Sequence, residues 1–200
     1  MIDLQRQKEN FKEHKATLTD CGNIKILDFK NPHSSHYRIR FLFEEDYCKL
    51  HISGDLGELI ATNYNNMTYE GFTDFVHNIE YFEQKIDTHS RAIYAWDEDK
   101  ARQDIIKFLK DYDFYDEVVE SYVNFETEEE KINDFLDDVL EDFTDNQGIG
   151  SNGYDILSDF YADIFELVGD FGKEETGILE LYMLAFELAQ EQLNKDSGEY

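Results

Sequence analysis

Residues 37–43 read Tyr-Arg-Ile-Arg-Phe-Leu-Phe, and the reading of this short run decides the class of the fold. Tyr37, Ile39, Phe41 and Phe43 alternate with Arg38 and Arg40, the two-residue period of a strand with one face in a core. Upstream, Ile24 to Phe29 forms a second apolar stretch. Downstream, Cys48, Leu50 and Ile52 stand opposite Tyr47, Lys49, His51 and Ser53, and a Gly54-Asp55-Leu56-Gly57 turn leads into Glu58 to Thr62. These pieces predict an antiparallel meander of three or four strands. The polar segment Ile2 to Lys15 predicts a short surface helix before it.

From Thr68 the period changes. Phe72, Phe75, Val76, Ile79, Phe82 and Ile86 recur at steps of three and four, which predicts one amphipathic helix covering a face of the sheet. Asp97 is placed to cap a second helix through Ile105, Ile106, Phe108 and Leu109, closing an α+β domain over residues 1–110. Residues 111–200 read as an acidic helical domain. Phe114 to Val123 predicts a short helix. Thr127-Glu128-Glu129-Glu130 has the capping-box pattern ahead of a stripe of Ile132, Phe135, Leu136, Val139, Leu140 and Phe143. A glycine-rich loop over Asn146 to Gly153 precedes a helix carrying Ile156, Leu157, Phe160, Tyr161, Ile164, Phe165 and Val168. Gly169 to Gly172 breaks it, and a last helix runs over Glu174 to Asn194. The expected fold class is α+β: a small antiparallel β-meander with covering helices, followed by an acidic all-helical C-terminal half.

With 200 residues, 41% of them hydrophobic and 15% aromatic, the chain can bury a sizeable core. No apolar run approaches the ~18 residues of a membrane span, and MIDLQRQKEN lacks the basic start and apolar stretch of a signal peptide, so a cytoplasmic protein is expected. Cys21 and Cys48 belong to no spaced cysteine framework and are expected to be reduced.

The net charge of −28 is the outlying quantity. Residues 1–100 hold 12 basic and 18 acidic side chains, whereas residues 101–200 hold 6 and 28. Between Asp111 and Glu187, 24 carboxylates face only Lys131 and Lys173. Self-repulsion of this size weakens a fold.

Carboxylates in such numbers first suggest metal. The loop from Asp145 to Gly150 places Gly150 at the sixth position of a calcium loop, but Ile149 and Ile156 occupy the fifth and twelfth, where oxygen ligands are needed. His33 and His36 are spaced like half a zinc site without a close cysteine pair, although Cys21, Cys48 and His51 are potential partners. Neither a hydrolase elbow, a phosphate loop nor an HExxH motif occurs. No catalytic residue, metal or cofactor is assigned. The acidic helical surface stands out instead: Asp111, Asp113, Asp116 and Glu117, then Glu130, Asp134, Asp137, Asp138, Glu141 and Asp142, then Asp155, Asp159, Asp163 and Glu166. Spacings of three and four set successive carboxylates ~5 to 6 Å apart on one helix face, where like charges repel. Duplex DNA carries one charge per ~1.7 Å of axis, so such helices can imitate a phosphate backbone toward a basic groove. A plain solubilising surface is the competing explanation.

The stretch Gly54-Asp55-Leu56-Gly57-Glu58-Leu59-Ile60-Ala61-Thr62-Asn63-Tyr64-Asn65-Asn66, followed by the aromatic segment with Tyr81, Phe82 and Glu83, resembles small proteins carried by phages and mobile elements of Gram-positive bacteria. The acidic second half is similar in character to DNA-mimicking anti-restriction and anti-CRISPR inhibitors. That resemblance implies a non-enzymatic inhibitor whose carboxylates occupy the nucleic-acid site of a host defence nuclease, first a type II CRISPR effector and second a restriction enzyme. Two alternatives are a metal-dependent nuclease using clustered carboxylates and an acidic phage accessory protein without such a target.

Overall fold

The computed structural model describes residues 3–122 and 125–197; Ile2 and Val123, the expected ends of two helices, lie outside them. In chain order the elements are α1 (Leu4–Phe11), β1 (Lys15–Asp20), β2 (Ile24–Lys30), β3 (Ile39–Glu44), β4 (Lys49–Gly54), β5 (Leu59–Thr62), α2 (Thr73–Val76), α3 (Ile79–Glu83) and β6 (Ile86–His89). Then follow β7 (Tyr94–Trp96), α4 (Glu98–Asp111), α5 (Tyr115–Ser121), α6 (Glu128–Val139), α7 (Ser151–Ser158), β8 (Lys173–Glu175) and α8 (Ile178–Ser197). They make two compact units: residues 1–93 with 176–200, and residues 94–175.

In the first unit, β1 to β6 form one six-stranded antiparallel sheet in sequential order. Its inner face is the alternating set read from the sequence, with Leu27, Phe29, Ile39, Phe41, Phe43, Leu50, Ile52, Leu59 and Ala61 all buried. α8 crosses this face beside α1 and α2. Its Phe186 ring lies 4.8 Å from Phe72 and 5.4 Å from Phe41, edge to face, the arrangement that adds to plain area burial. Gln192 ties helix to sheet by accepting from the Ala16 amide at 3.1 Å and donating to the His14 carbonyl at 2.9 Å.

In the second unit, β7 pairs with β8 as a short antiparallel ribbon, and α4 to α7 enclose a core of Ile105, Phe108, Leu109, Val118, Ile132, Phe135, Leu136, Val139, Leu157, Ile164 and Phe171. The expected capping box is formed: Thr127 Oγ1 accepts from the Glu130 amide, and the Glu130 carboxylate accepts from the Thr127 amide.

An antiparallel sheet in the N-terminal half with helices after it agrees with the expected class, and the details differ from it. The single helix expected over 68–86 is two short ones. Asn78, extended at φ −144°, accepts from the Tyr81 amide and starts α3 afresh, while Ile86 opens a strand. The helical spacing of Phe72, Phe75 and Phe82 reflects burial in successive turns. The meander gains β1 and β6 at its edges, where most of the residues face solvent and the apolar signal is thin. The C-terminal half is not wholly helical. α7 begins inside the expected glycine loop and ends at Ser158, single 3-10 turns replace the predicted helix at Ile164–Glu166 and Val168–Asp170, and Lys173–Glu175 is a strand. Gly177, at φ 77°, delays the last helix to Ile178. The compact units also do not follow a division at residue 110, since α4 belongs to the second unit and α8 to the first.

Candidate functional site

The 14 carboxylates named from the sequence all fall in the second unit, which holds 26 acidic and 6 basic residues, a net −20 over residues 94–175. Their circumstances divide them. Asp137 is paired with Arg102 Nη2 at 2.6 Å, and the same guanidinium reaches Glu98 at 3.1 Å. Asp138 accepts from the Tyr122 hydroxyl at 2.8 Å; desolvation, with the Asp138 carboxylate beside it, pushes that phenol far above its usual range. Asp142 closes the corner between α6 and α7. Its carboxylate accepts from the Asn152 amide at 2.9 Å and from the Gly153 amide at 3.5 Å, standing in for the cap that Gly150 lacks. Asn152 in turn donates to the Asp138 carbonyl and to Glu141. Glu130 is consumed by the capping box, and Asp116 and Glu117 occupy the first turn of α5, where the helix dipole favours an acid. Asp113, at φ 63°, turns the chain out of α4 in a conformation that aspartate tolerates.

The rest have no such local reason. Asp111, Asp134, Asp155, Asp159, Asp163 and Glu166 make no ion pair or side-chain hydrogen bond among the described residues, and all but the half-buried Asp134 are exposed. Asp137 and Asp138 lie in the last turn of α6, Asp155 in the last turn of α7 and Asp159 at its C-cap, and neither helix carries a basic residue in that turn. A helix C-terminus is the negative end of the macrodipole, so these positions disfavour carboxylates twice over. Arg102 relieves Asp137 alone: Lys107 and Lys131 make no ion pair among the described residues, and Lys110 lies over the Tyr115 ring at 5.0 Å.

Of the aromatics among the acids, the sequence suggests Tyr112, Phe114 and Tyr115 as apolar anchors, with core packing as their competing role, and misses Phe165. Phe165 is 61% exposed between Asp163 and Glu166, because the stretch is a 3-10 turn and only Ile164 points inward. A helical stripe had accounted for it as core, so no signal in the sequence set it apart. Tyr112, 43% exposed, packs on Phe108 and Tyr161. It lines a cavity of about 330 Å³ with Phe108, Leu167 and Phe171 at its apolar wall and Lys107 and Asp111 at its rim. Asp104 lines the same cavity. Burial raises its pKa, but the Lys100 ammonium at 2.6 Å and the Gly172 amide at 2.9 Å outweigh this and hold the carboxyl below the usual range.

The weighed metal motifs have structural settings. Gly148, at φ 74°, lies against the Trp96 ring, and the Trp96 amide donates to the Asp145 carbonyl, so the Asp145–Gly150 loop seats the tryptophan. His51 stands 3.2 Å from Glu44 and His36 3.9 Å from Asp55, and both cysteines are free thiols. Among the described residues no three potential ligands come together as a metal site. None of the described helices is long and apolar enough to cross a membrane. No protein-family model, curated protein or solved structure matches the chain.

Proposed function

We propose that the second unit presents its unneutralised carboxylates to a basic protein surface built for nucleic acid and competes with nucleic acid for it. The observation that carries this reading is the placement of acids at the C-terminal ends of α6 and α7, where neither last turn holds a basic residue and Asp138, Asp155 and Asp159 make no ion pair among the described residues. Local rules that a sequence breaks at a cost to its own stability concentrate at functional positions. A solubilising surface needs negative charge, but it does not need that charge at the ends of helices that repel it. Phe165, exposed between two acids, supplies an apolar anchor of the kind that concentrates binding energy at interfaces.

Following the resemblance to DNA-mimicking inhibitors, the partner to test first is a type II CRISPR effector nuclease, whose channel is positively charged. The protein is mixed with the purified nuclease, with and without guide RNA and target DNA, and run by size exclusion at two salt concentrations. The expected result is a complex that weakens at the higher salt and that DNA or guide RNA displaces. A complex that neither nucleic acid disturbs would reject mimicry. No complex in any state would reject this target.

A further inference from the structure

The first unit carries the opposite anomaly. Lys15 on β1 is paired in register with Lys30 on β2, and Arg38, the residue just ahead of β3, follows directly on the last β2–β3 pair, Phe29 with Ile39, at the same end of the sheet. Three cations thus form one row across adjacent strands, on the outer face of the sheet, since Phe29, Ile39 and Ile52 fill the inner one. Directly opposed residues have Cβ atoms roughly 4.5 to 5.5 Å apart, and like charges there are destabilising. None of the three has an ion-pair partner among the described residues, in a chain with 46 carboxylates. A lysine on an exposed edge strand serves to block edge-to-edge pairing, which accounts for Lys15 on β1. It does not account for Lys30, on the interior strand β2, or for Arg38, just ahead of the interior strand β3.

Lys30 and Arg38 line a depression of about 400 Å³ together with Asp28, Ile39, Arg40, Ser53, Gly54 and Glu58. Arg40 is held in place by a two-pronged bond to Asp28 at 2.8 and 2.9 Å, which uses up that carboxylate and fixes the guanidinium along the wall. Gly54, at φ 146°, lets β4 run close to the Arg38 backbone; a Cβ there would strike the Arg38 carbonyl. Glu58 is the other carboxylate of the lining. Two unpaired cations, a pre-set guanidinium and a serine hydroxyl in one recess match an oxyanion with several acceptor oxygens.

We propose that this recess binds a small phosphate-bearing ligand, its phosphate taken between Lys30 and Arg38. The repulsion of a chain with net charge −28 disfavours a long polyanion at the same place and leaves a compact one, bound by short-range contacts, as the fitting occupant. The site lies in the first unit and is independent of the role proposed for the second.

The test is a titration of the full chain with inorganic pyrophosphate at constant ionic strength, followed by amide chemical shifts. The expected result is saturable shifts at Lys30, Arg38 and Ser53. Binding should weaken at least about tenfold in the double variant Lys30→Gln, Arg38→Gln. The same variant should melt at a higher temperature than the parent in ligand-free buffer, because the like-charge pair is gone, and this also shows that it folds. Lys8→Gln, on α1, should leave the titration unchanged. Shifts that do not saturate, or equal binding by the double variant, would overturn the proposal. So would a single-stranded oligonucleotide that binds the recess more tightly than pyrophosphate.

Discussion

The two units both close on aromatic cores and are unequally charged. The first spans 118 residues with 12 basic and 20 acidic side chains, the second 82 residues with 6 and 26. In the first, acids and bases meet: Lys25 lies between Glu70 at 2.6 Å and Glu45 at 3.8 Å, and Arg40 is clamped by Asp28. In the second, ion pairs reach Glu98, Asp104, Asp137 and Asp170, while Asp155 and Asp159 stand at the end of α7 with no ion pair among the described residues. Both interiors are apolar and rich in phenylalanine, so the make-up of the core does not distinguish the units. What distinguishes them is a surface arranged in places against the fold's own stability, the feature on which the proposed role rests.

The largest expected effects test whether the cores are in fact alike. Phe186→Ala in the first unit and Phe135→Ala in the second, both fully buried, should each cost about 3 to 5 kcal/mol in urea unfolding. A cost below ~1 kcal/mol for either would show that its core is loosely packed. Next comes Gly54→Ala, which forces a side chain into a left-handed backbone against the Arg38 carbonyl and should cost about 1 to 3 kcal/mol. Thr127→Ala removes half of the capping box of α6 and should cost about 1 kcal/mol, read from the thermal midpoint. The smallest effect sharpens the contrast most. Asp134→Lys converts repulsion with Asp138 and Glu130 into attraction, so it should stabilise by about 0.3 to 0.5 kcal/mol and the gain should fade in salt. A destabilisation would mean that Asp134 has a structural partner.

The pH response separates the units as well. His14 is 2% exposed; its Nε2 donates to the Tyr37 carbonyl at 3.2 Å, and its Nδ1 is buried without a hydrogen-bond partner among the described residues. Desolvation lowers its pKa, backbone hydrogen bonds oppose this, and the His36 imidazole, itself near Asp55, adds to the lowering. The unfolded chain therefore takes up this proton first. The contribution of neutral His14 is complete above the ordinary histidine value of ~6.5 and is lost as the pH falls from there through the folded value. Urea titrations at pH 7 and pH 5.5 should show a smaller loss on acidification for His14→Leu than for the parent. An equal loss would place the titrating group elsewhere.

Much of the sheet was legible because its inner face obeys a two-residue period over Ile39 to Phe43 and Leu50 to Ile52, although Tyr37 (φ 56°) and Cys48 (φ 52°), expected in the same strands, stand in left-handed conformations ahead of them. The edges were not: Lys15 to Asp20 alternates lysine and threonine with only Ala16 and Leu18, too little apolar surface to mark a strand. The helix break at Asn78 was hidden by phenylalanines whose spacing satisfies a helix and two successive turns alike. Of the acidic surface, sequence identified which residues and not what they do. That Glu130 would close a cap followed from its position three residues after Thr127. That Asp142 would cap α7, or Asp137 hold Arg102, depends on helix ends meeting across 10 and 35 residues of chain, which no local pattern encodes. The row Lys15, Lys30, Arg38 was likewise invisible until register brought it together.

The central claim is that the unpaired acids of the second unit, rather than negative charge in general, make the protein compete with nucleic acid. The direct measurement is fluorescence competition against labelled duplex DNA on the basic partner, using two matched variants. One neutralises Asp111, Asp134, Asp155, Asp159, Asp163 and Glu166 to their amides; the other neutralises Glu9, Glu13, Asp46, Glu80, Asp87 and Glu191 of the first unit, with the same change in net charge. The account predicts that the first variant loses DNA displacement by at least about tenfold, one decade per 1.4 kcal/mol, while the second stays near the parent. Equal losses in the two would contradict it and leave only the bulk charge of the chain.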